Sequence, residues 1–144
     1  MKIRKGDIKD FDEFYKILNS ASELSGGVGK ETYPKEFVKG TLTNKERELV
    51  LVAEEKGKIV GFLTAEIWKE KKYSFLIDVF VKPEFRKQGV ASKLFETYED
   101  FCKKSHFNSI VALVLMSNKR MQKWCKSHSI KQGDKFYYYQ KNLK

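Results

Sequence analysis

Residues 79–94 read VFVKPEFRKQGVASKL, and this stretch decides the fold. An apolar run ends at Pro83, a basic turn follows, and Gly89 precedes residues spaced as on one face of a helix. The first turn of a helix leaves several backbone N–H groups unpaired at the positive end of its dipole, where anions bind. Gly89 lets a ligand approach the backbone closely because it has no side chain. The stretch therefore predicts a strand, a loop and a helix that bind phosphate.

Hydrophobic spacing elsewhere predicts strands and helices around one sheet, a mixed α/β (α+β) fold. The predicted strands are residues 3–5, 49–54, 59–68, 74–81, 110–115 and 134–142, and the predicted helices are residues 7–22, a short helix from residue 34, a helix from residue 89, and residues 118–126. Residues 110–115 are wholly apolar, which indicates a strand that is parallel to its neighbour and covered on both faces. A turn is expected at residues 25–29, SGGVG.

Size and composition favour one soluble domain. The chain has 144 residues, and none of its apolar runs reaches the roughly 18 residues that a membrane span needs. No apolar stretch follows the first lysines, so no secretory signal is expected and a cytoplasmic location is predicted. Cys102 and Cys125 lack metal-binding spacing, and His106 and His128 are the only histidines, so no metal site is expected.

Positive charge is concentrated toward the end of the chain, and the formal net charge is +10. From Ser117 onward eight lysine or arginine residues are opposed by Asp134 alone, and five aromatic residues lie among them. Nucleic-acid-binding domains show this pattern, so such a partner is kept as the weaker alternative. A solvated surface or a phosphate-rich ligand explains the same charge.

Three residues of the basic turn, Arg86, Gly89 and Ala91, match Arg/Gln-x-x-Gly-x-Gly/Ala, the acetyl-CoA signature of the GNAT superfamily of N-acetyltransferases. Val81-Lys82-Pro83 matches the Val-x-Pro that ends the preceding strand in that family. The sequence resembles this family over nearly all of its 144 residues, which implies a single GNAT domain, residues 1–144. The resemblance also implies a mostly antiparallel sheet of six to seven strands, about four flanking helices, and two central strands that splay apart.

The resemblance implies acetyl-CoA as the co-substrate and assigns residues to it. The backbone of Val79, Phe80 and Val81 would hold the acetyl and pantetheine portion. The pyrophosphate would be held by Arg86, Lys87, Gln88, Gly89, Val90, Ala91 and Ser92. A second family element begins at Asn118, which is also assigned to the cofactor, and the family's proton-donating tyrosine falls on Cys125.

Direct attack of an amine on a thioester needs a base, because a primary amine is protonated at pH 7. The candidates are Asp78, on the cofactor strand, and Glu66, near the end of the strand before it. Asp78 interrupts the apolar run FLIDVFV, so it either accepts a proton or binds the ammonium group of the acceptor. Cys125 either donates a proton in place of the tyrosine or is a small core residue. No serine–histidine arrangement is evident in the sequence, so the reaction is predicted to take place in a ternary complex, without an acetyl-enzyme.

The predicted function is transfer of an acetyl group from acetyl-CoA to a primary amine. The stretch around residues 77–89 and the aromatic ending resemble aminoglycoside 6′-N-acetyltransferases and polyamine acetyltransferases, so a small-molecule amine is favoured and a protein amine stays open. A catalytically inactive acyl-CoA-binding GNAT module is the alternative, besides the nucleic-acid-binding domain. A homodimer is also left open, because the aromatic last strand would form an edge or an interface.

Overall fold

The computed structural model describes residues 1–21, 24 and 33–144, so the turn predicted at residues 25–29 lies outside the described residues. Five strands and four α-helices follow one another in the described part of the chain. They are β1 (Lys2–Lys5), α1 (Phe11–Ser20), α2 (Lys35–Thr43), β2 (Glu48–Glu55), β3 (Lys58–Trp68), β4 (Tyr73–Val81), α3 (Val90–Lys104), β5 (Ser109–Ala112) and α4 (Lys119–Ser127). Among these described helices, none has the length and apolar character to cross a membrane.

The five strands form one sheet in the order β1-β2-β3-β4-β5. Neighbours are antiparallel as far as β4, and β5 lies parallel to β4, as predicted. β2 and β3 are joined by a two-residue turn at Lys56 and Gly57, whose φ angles of 49° and 74° suit the twist of a hairpin. β5 follows α3 because a parallel neighbour can be reached only through a long crossover.

Alternation of side chains along the strands divides the core between the two faces of the sheet. α3 packs on one face, where Leu63, Leu94 and Tyr98 are fully buried. α1 and α2 pack on the other face, where Phe14 and Phe62 meet edge to face with ring centroids 4.9 Å apart. The central strands are therefore held between two helical layers.

A buried hydrogen-bond chain ties α3 to β3 and β4. Tyr98 Oη donates to Ser74 Oγ at 2.7 Å, and Ser74 Oγ donates to the carbonyl oxygen of Glu66 at 2.8 Å. Both hydroxyls are satisfied, which allows Tyr98 and Ser74 to be fully buried. These two hydrogen bonds hold the backbone of β3 in place at Glu66.

The strand predicted at residues 134–142 is wrong, and with it the count of six to seven strands. Residues 131–144 belong to no strand, and every one of them is exposed. Aromatic residues favour a strand only where a neighbouring strand offers partners, and within the described chain this segment is paired with none. The described residues therefore form a sheet of five strands.

The strand β5 is shorter and more exposed than the apolar run at residues 110–115 predicts. It ends at Ala112, and Leu113 and Leu115 beyond it are 71% and 50% exposed. β5 is the last strand of the sheet, and only Ile110 and Ala112 pack against the core beneath α3. The expected cover on both faces is therefore wrong.

Candidate functional site

The second half of β4 has a strand partner on one side only, as far as the described residues go. Its pairing with β5 ends at Leu76 and Ala112, although β4 continues to Val81. On the side of β3, Thr64 pairs with Asp78 and the next residue, Ala65, pairs with Leu76. Ile77 is therefore the extra residue of a β-bulge. The backbone groups of residues 77–81 that face away from β3 therefore have no described strand partner there, and their N–H groups are available to a ligand.

The loop after β4 has the backbone geometry of an anion site. Lys87 and Gly89 both have positive φ, 60° and 78°, and such turns point successive N–H groups into one concavity. Gly89 caps the 15-residue helix α3 without a side-chain hydrogen bond, and the first turn of α3 carries no acidic residue. The N–H groups of that turn therefore stay free for an anion. We call residues 87–92 the anion cradle.

Two side chains predicted to bind the pyrophosphate hold the loop against β4. Arg86 Nε donates to the carbonyl oxygen of Val81 at 2.8 Å, and its guanidinium lies 5.9 Å from the centre of the Phe80 ring. Gln88 Nε2 donates to the carbonyl oxygen of Glu84 at 3.1 Å. The Arg86 contact ties the loop to the end of β4, and the Gln88 contact lies within the loop.

Ser92 and His128 form a contact that was not evident in the sequence. Ser92 Oγ lies 3.1 Å from His128 Nε2, and His128 Nδ1 lies 2.8 Å from the carbonyl oxygen of Trp124. The His128 ring also stacks on Trp124 with centroids 4.1 Å apart. Only a protonated Nδ1 can donate to a carbonyl, so a neutral ring accepts from Ser92. The contact fastens α4 to the first turn of α3.

Asn118 and Cys125, both predicted site residues, belong to α4. Asn118 is the N-cap of this helix, and its Oδ1 accepts a hydrogen bond from the backbone N of Met121 at 3.0 Å. Cys125 is only 7% exposed, and burial raises the pKa of its thiol. Asn118 therefore caps α4, and Cys125 is a buried residue of the same helix.

Asp78 lies on the sheet face that α1 and α2 cover, because it is two residues from Phe80 in the core of that face. Burial raises the pKa of Asp78 from its ordinary 3.8 to about 6, and the nearby Thr64 hydroxyl opposes the rise. The Thr64 Oγ1 atom is buried and makes no hydrogen bond within 3.5 Å to any described residue. Burial and, second, the charge of Asp78 raise the pKa of Tyr33. Tyr33, just before α2, therefore lies within electrostatic range of Asp78.

Glu66 faces Glu48 across the β2–β3 pair, a partner that the sequence did not reveal. Glu66 Oε2 accepts a hydrogen bond from Trp68 Nε1 at 3.2 Å. Burial and, second, the charge of Glu66 raise the pKa of Glu48 to about 7. Both carboxylates share the face of Asp78, because alternation places Glu48 with Val50 and Glu66 with Thr64. This acidic pair can bind a cation.

A groove of about 330 Å³ lies between the end of α1 and the loop after β4. It is lined by Ile17, Ser20, Ala21, Phe80, Lys82, Pro83 and Arg86. Phe80 belongs to the end of β4, and Arg86 belongs to the loop that leads into the anion cradle.

Family membership follows from the sequence comparisons. The sequence model of the acetyltransferase (GNAT) family matches residues 11–128. An uncharacterized N-acetyltransferase of Archaeoglobus fulgidus is 33% identical over 105 residues, which cover 67% of this chain and 69% of the relative. The chain belongs to the GNAT family of acetyltransferases, as the sequence predicted.

Solved structures confirm the fold. An aminoglycoside N-acetyltransferase in complex with CoA superposes with a TM-score of 0.79 at 17% identity, covering 99% of this chain and 100% of that one. A ribosomal-protein-alanine N-acetyltransferase of Brucella melitensis gives a TM-score of 0.77 at 16% identity, covering 97% and 99%. The mixed α/β fold of this chain is therefore that of known acetyltransferases.

Proposed function

We propose that this acetyltransferase takes its acetyl group from acetyl-CoA and transfers it to a primary amine by direct attack within a ternary complex. One observation carries the proposal. The second half of β4 pairs with β3 but with no described strand on its other side, and it leads into the anion cradle. The backbone of residues 79–81 would bind the acetyl and pantetheine portion, and residues 87–92 would bind the pyrophosphate. The backbone N–H groups of residues 87–92 would donate hydrogen bonds to the negatively charged phosphate oxygens.

Backbone donors of β4 have a second role in the proposal. As the amine nitrogen attacks the thioester carbon, negative charge develops on the carbonyl oxygen, and N–H groups fixed by the β3–β4 pairing can stabilise it. The C–S bond then breaks and CoA leaves as a thiol. Because residues 78–81 of β4 are paired with β3, these donors need little reorganisation during the reaction.

We assign the general base to Asp78. A carboxylate with a pKa of about 6 is mostly ionised at pH 7, yet it is more basic than an ordinary aspartate. Asp78 directly precedes Val79, so it lies next to the backbone proposed for the acetyl group. It would accept the proton that the amine loses.

The pair Glu48 and Glu66 favours a cationic small molecule as acceptor. Two like charges in register repel each other, and a bound ammonium group would relieve that repulsion. The pair also gives a local negative charge to a protein whose net charge is +10. One solved structural neighbour acts on aminoglycosides, which agrees with a polycationic acceptor.

Cys125 is the weaker candidate for the proton donor to the leaving thiolate. Burial raises the pKa of its thiol, so transfer of its proton to an ordinary thiolate of pKa about 8.5 is uphill. We expect Cys125→Ala to lower kcat less than about tenfold, a smaller loss than removal of a general acid gives. The measurement is kcat at pH 7 and pH 9. A much larger loss with an unchanged melting temperature would assign the proton donor to Cys125.

Gly61 is a further residue on which the site depends. It pairs with Val81, and a Cβ atom at residue 61 would lie 2.8 Å from the Phe80 carbonyl oxygen and 3.3 Å from Val90 Cγ1. Gly61→Ala therefore pushes on both the β4 end and the start of α3. We expect a loss of about 1–3 kcal/mol in the free energy of unfolding, together with weaker binding of acetyl-CoA.

Urea unfolding and a titration with acetyl-CoA measure the two effects. Gly40→Ala in α2 is the control, because a Cβ there meets no described atom within 4 Å and alanine favours a helix. It should raise stability slightly and leave binding unchanged. Equal effects of the two substitutions would contradict the contact assigned to Gly61.

The acceptor class is tested by release of free thiol from acetyl-CoA in the presence of different amines. The panel contains the aminoglycoside sisomicin, a linear polyamine and a peptide with an amino-terminal alanine. We expect release with the cationic small molecules and slower release with the peptide. Release with the peptide alone would overturn the small-molecule assignment, and binding of acetyl-CoA without release for any amine would overturn the proposed catalysis.

A further inference from the structure

Among the described residues, Thr64 carries the buried side-chain polar atom that has no hydrogen-bond partner. The residue is 5% exposed, and its Oγ1 atom bonds to no described group. Leaving a buried hydroxyl unpaired costs free energy, so nearly all such groups in native proteins are paired. A valine would fill nearly the same space without that cost. The hydroxyl therefore indicates a function beyond packing.

The register of the sheet shows which groups this hydroxyl can reach. Thr64 lies opposite Val50 of β2 on one side and opposite Asp78 of β4 on the other. Side chains directly opposite each other in antiparallel strands share a face, with Cβ atoms about 4.5–5.5 Å apart. The Val50 side chain has no polar atom. Asp78 is therefore the polar side chain that Thr64 faces across the strands.

The neighbours of Thr64 along β3 offer no better partner. Phe62 and Glu66 are each two positions away, on the same face of the strand. Phe62 is fully buried and apolar. Glu66 Oε2 already accepts a hydrogen bond from Trp68 Nε1 at 3.2 Å. The directly opposed Asp78 carboxylate is thus the acceptor that best fits the Thr64 hydroxyl.

Other groups on this face leave Asp78 to Thr64. The titratable ones are Glu66, Glu48 opposite it, and Tyr33 before α2. Tyr33 Oη donates to the carbonyl oxygen of Leu24 at 2.8 Å, so its proton is already engaged. The buried side chains that α1 and α2 place over this core are apolar: Phe14, Ile17, Leu18, Val38 and Leu42. Thr64 is therefore the suitable hydroxyl donor within the described surroundings of Asp78.

We propose that Thr64 is a positioning residue for Asp78, whose ionised carboxylate accepts a hydrogen bond from the Thr64 hydroxyl. The hydroxyl can turn toward Asp78 because no other described group holds it. Hydrogen bonds to an ionised acceptor are roughly twice as strong as those between neutral groups, so the bond forms with the charged base. Asp78 is a base only under the proposed function, on which this inference rests.

The bond would keep a buried carboxylate usable as a base. Burial, the larger effect, raises the pKa of Asp78, and the Thr64 hydroxyl lowers it. Thr64 donates to one carboxylate oxygen, and the other oxygen stays free for the amine. The proton that the attacking amine loses then passes to Asp78, while Thr64 keeps its own. Thr64 thus orients the base and does not react.

The pKa of Asp78, measured by ¹³C NMR of its carboxyl carbon, tests the bond without any substrate. The resonance is assigned from its absence in Asp78→Asn. We expect Thr64→Val to raise the pKa of Asp78 by about one pH unit, because a hydrogen bond to the charged form is lost. Thr64→Ser keeps the hydroxyl and should restore the pKa. The control is Thr97→Val, since Thr97 is exposed and donates to the carbonyl oxygen of Lys93 within α3.

The pH profile of amine acetylation gives the second readout. The acidic limb of kcat/KM should move to higher pH by about one pH unit in Thr64→Val and stay in place in Thr64→Ser and Thr97→Val. In the Asp78→Asn background, Thr64→Val should change the residual rate less than about twofold, because the two residues act as one unit. A purely structural role of Thr64 would not produce this pattern.

Two results would overturn the inference. One is an unchanged pKa of Asp78 in folded Thr64→Val. The other is an equal rise of that pKa in Thr64→Val and Thr64→Ser, which would assign the effect to packing. If Thr64→Val does not fold, Thr64→Ala also lacks the hydroxyl and should give the same rise. Full activity of Asp78→Asn would instead overturn the base of the proposed function, and the NMR titration distinguishes the two failures.

Discussion

Replacing Asp78 by asparagine is expected to lower kcat/KM for amine acetylation by about 10²–10⁴-fold at pH 7, as removal of a general base does. Binding of acetyl-CoA should be unchanged, because the anion cradle does not include this side chain. In the wild-type enzyme kcat/KM should fall as the pH drops through about 6, where Asp78 takes up a proton. That acidic limb should be absent from the residual activity of Asp78→Asn.

Stability provides the control for this variant. The pKa of Asp78 is higher in the folded chain than the ordinary 3.8, so the folded state binds the proton more tightly than the unfolded state. Its contribution to stability is therefore full below about pH 4 and is lost as the pH rises through about 6, at a cost of at most about 3 kcal/mol. Asp78→Asn should melt at the same or a higher temperature at pH 7. Full activity of a folded Asp78→Asn would contradict the assignment of the base.

Gly89→Ala is expected to weaken acetyl-CoA binding at least about tenfold while costing only about 1 kcal/mol of stability. The strain arises because φ is +78° at Gly89, and the new Cβ meets no described atom within 4 Å. The methyl group would instead occupy the space that the proposed pyrophosphate needs. Calorimetric titration gives the affinity, and urea unfolding gives the stability.

Gly57→Ala in the β2–β3 turn is the matched control. Gly57 also has a positive φ, +74°, and a Cβ there also meets no described atom within 4 Å. Both substitutions should therefore cost similar stability, but only Gly89→Ala should reduce affinity. If the two variants bind acetyl-CoA equally well, the phosphates do not lie against the anion cradle.

The anion cradle was the part of the site most accessible from sequence. Its geometry is local, because a positive φ at Gly89 and an uncapped first turn of α3 depend on neighbouring residues along the chain. The sequence also predicted β4, because its apolar run is a local pattern. It predicted the parallel direction of β5 from the apolar composition of residues 110–115. Local signals sufficed there.

The sequence did not reveal that Glu48 lies opposite Glu66, because a β-bulge changes the register between β2 and β3. Counting back from the hairpin pair Glu55–Lys58 places Glu48 opposite Ala65, but a register shift at Ala53 and Glu54 brings it opposite Glu66. One inserted residue therefore changes which side chains meet. No composition signal reveals such a shift.

Contacts between distant parts of the chain also escaped prediction. The Ser92–His128 contact joins residues 36 positions apart, and it forms only once α4 packs on α3. The tyrosine-rich ending predicted a strand by composition, whereas a strand also needs a partner edge. The described chain offers no such partner to residues 131–144, which are all exposed.

A calorimetric titration of acetyl-CoA into the wild-type protein, repeated with Gly89→Ala and Gly57→Ala, tests binding at the anion cradle. We expect saturable binding at one site per chain, equally tight for the wild type and Gly57→Ala and at least about tenfold weaker for Gly89→Ala. Absence of binding to the folded wild-type protein would contradict it.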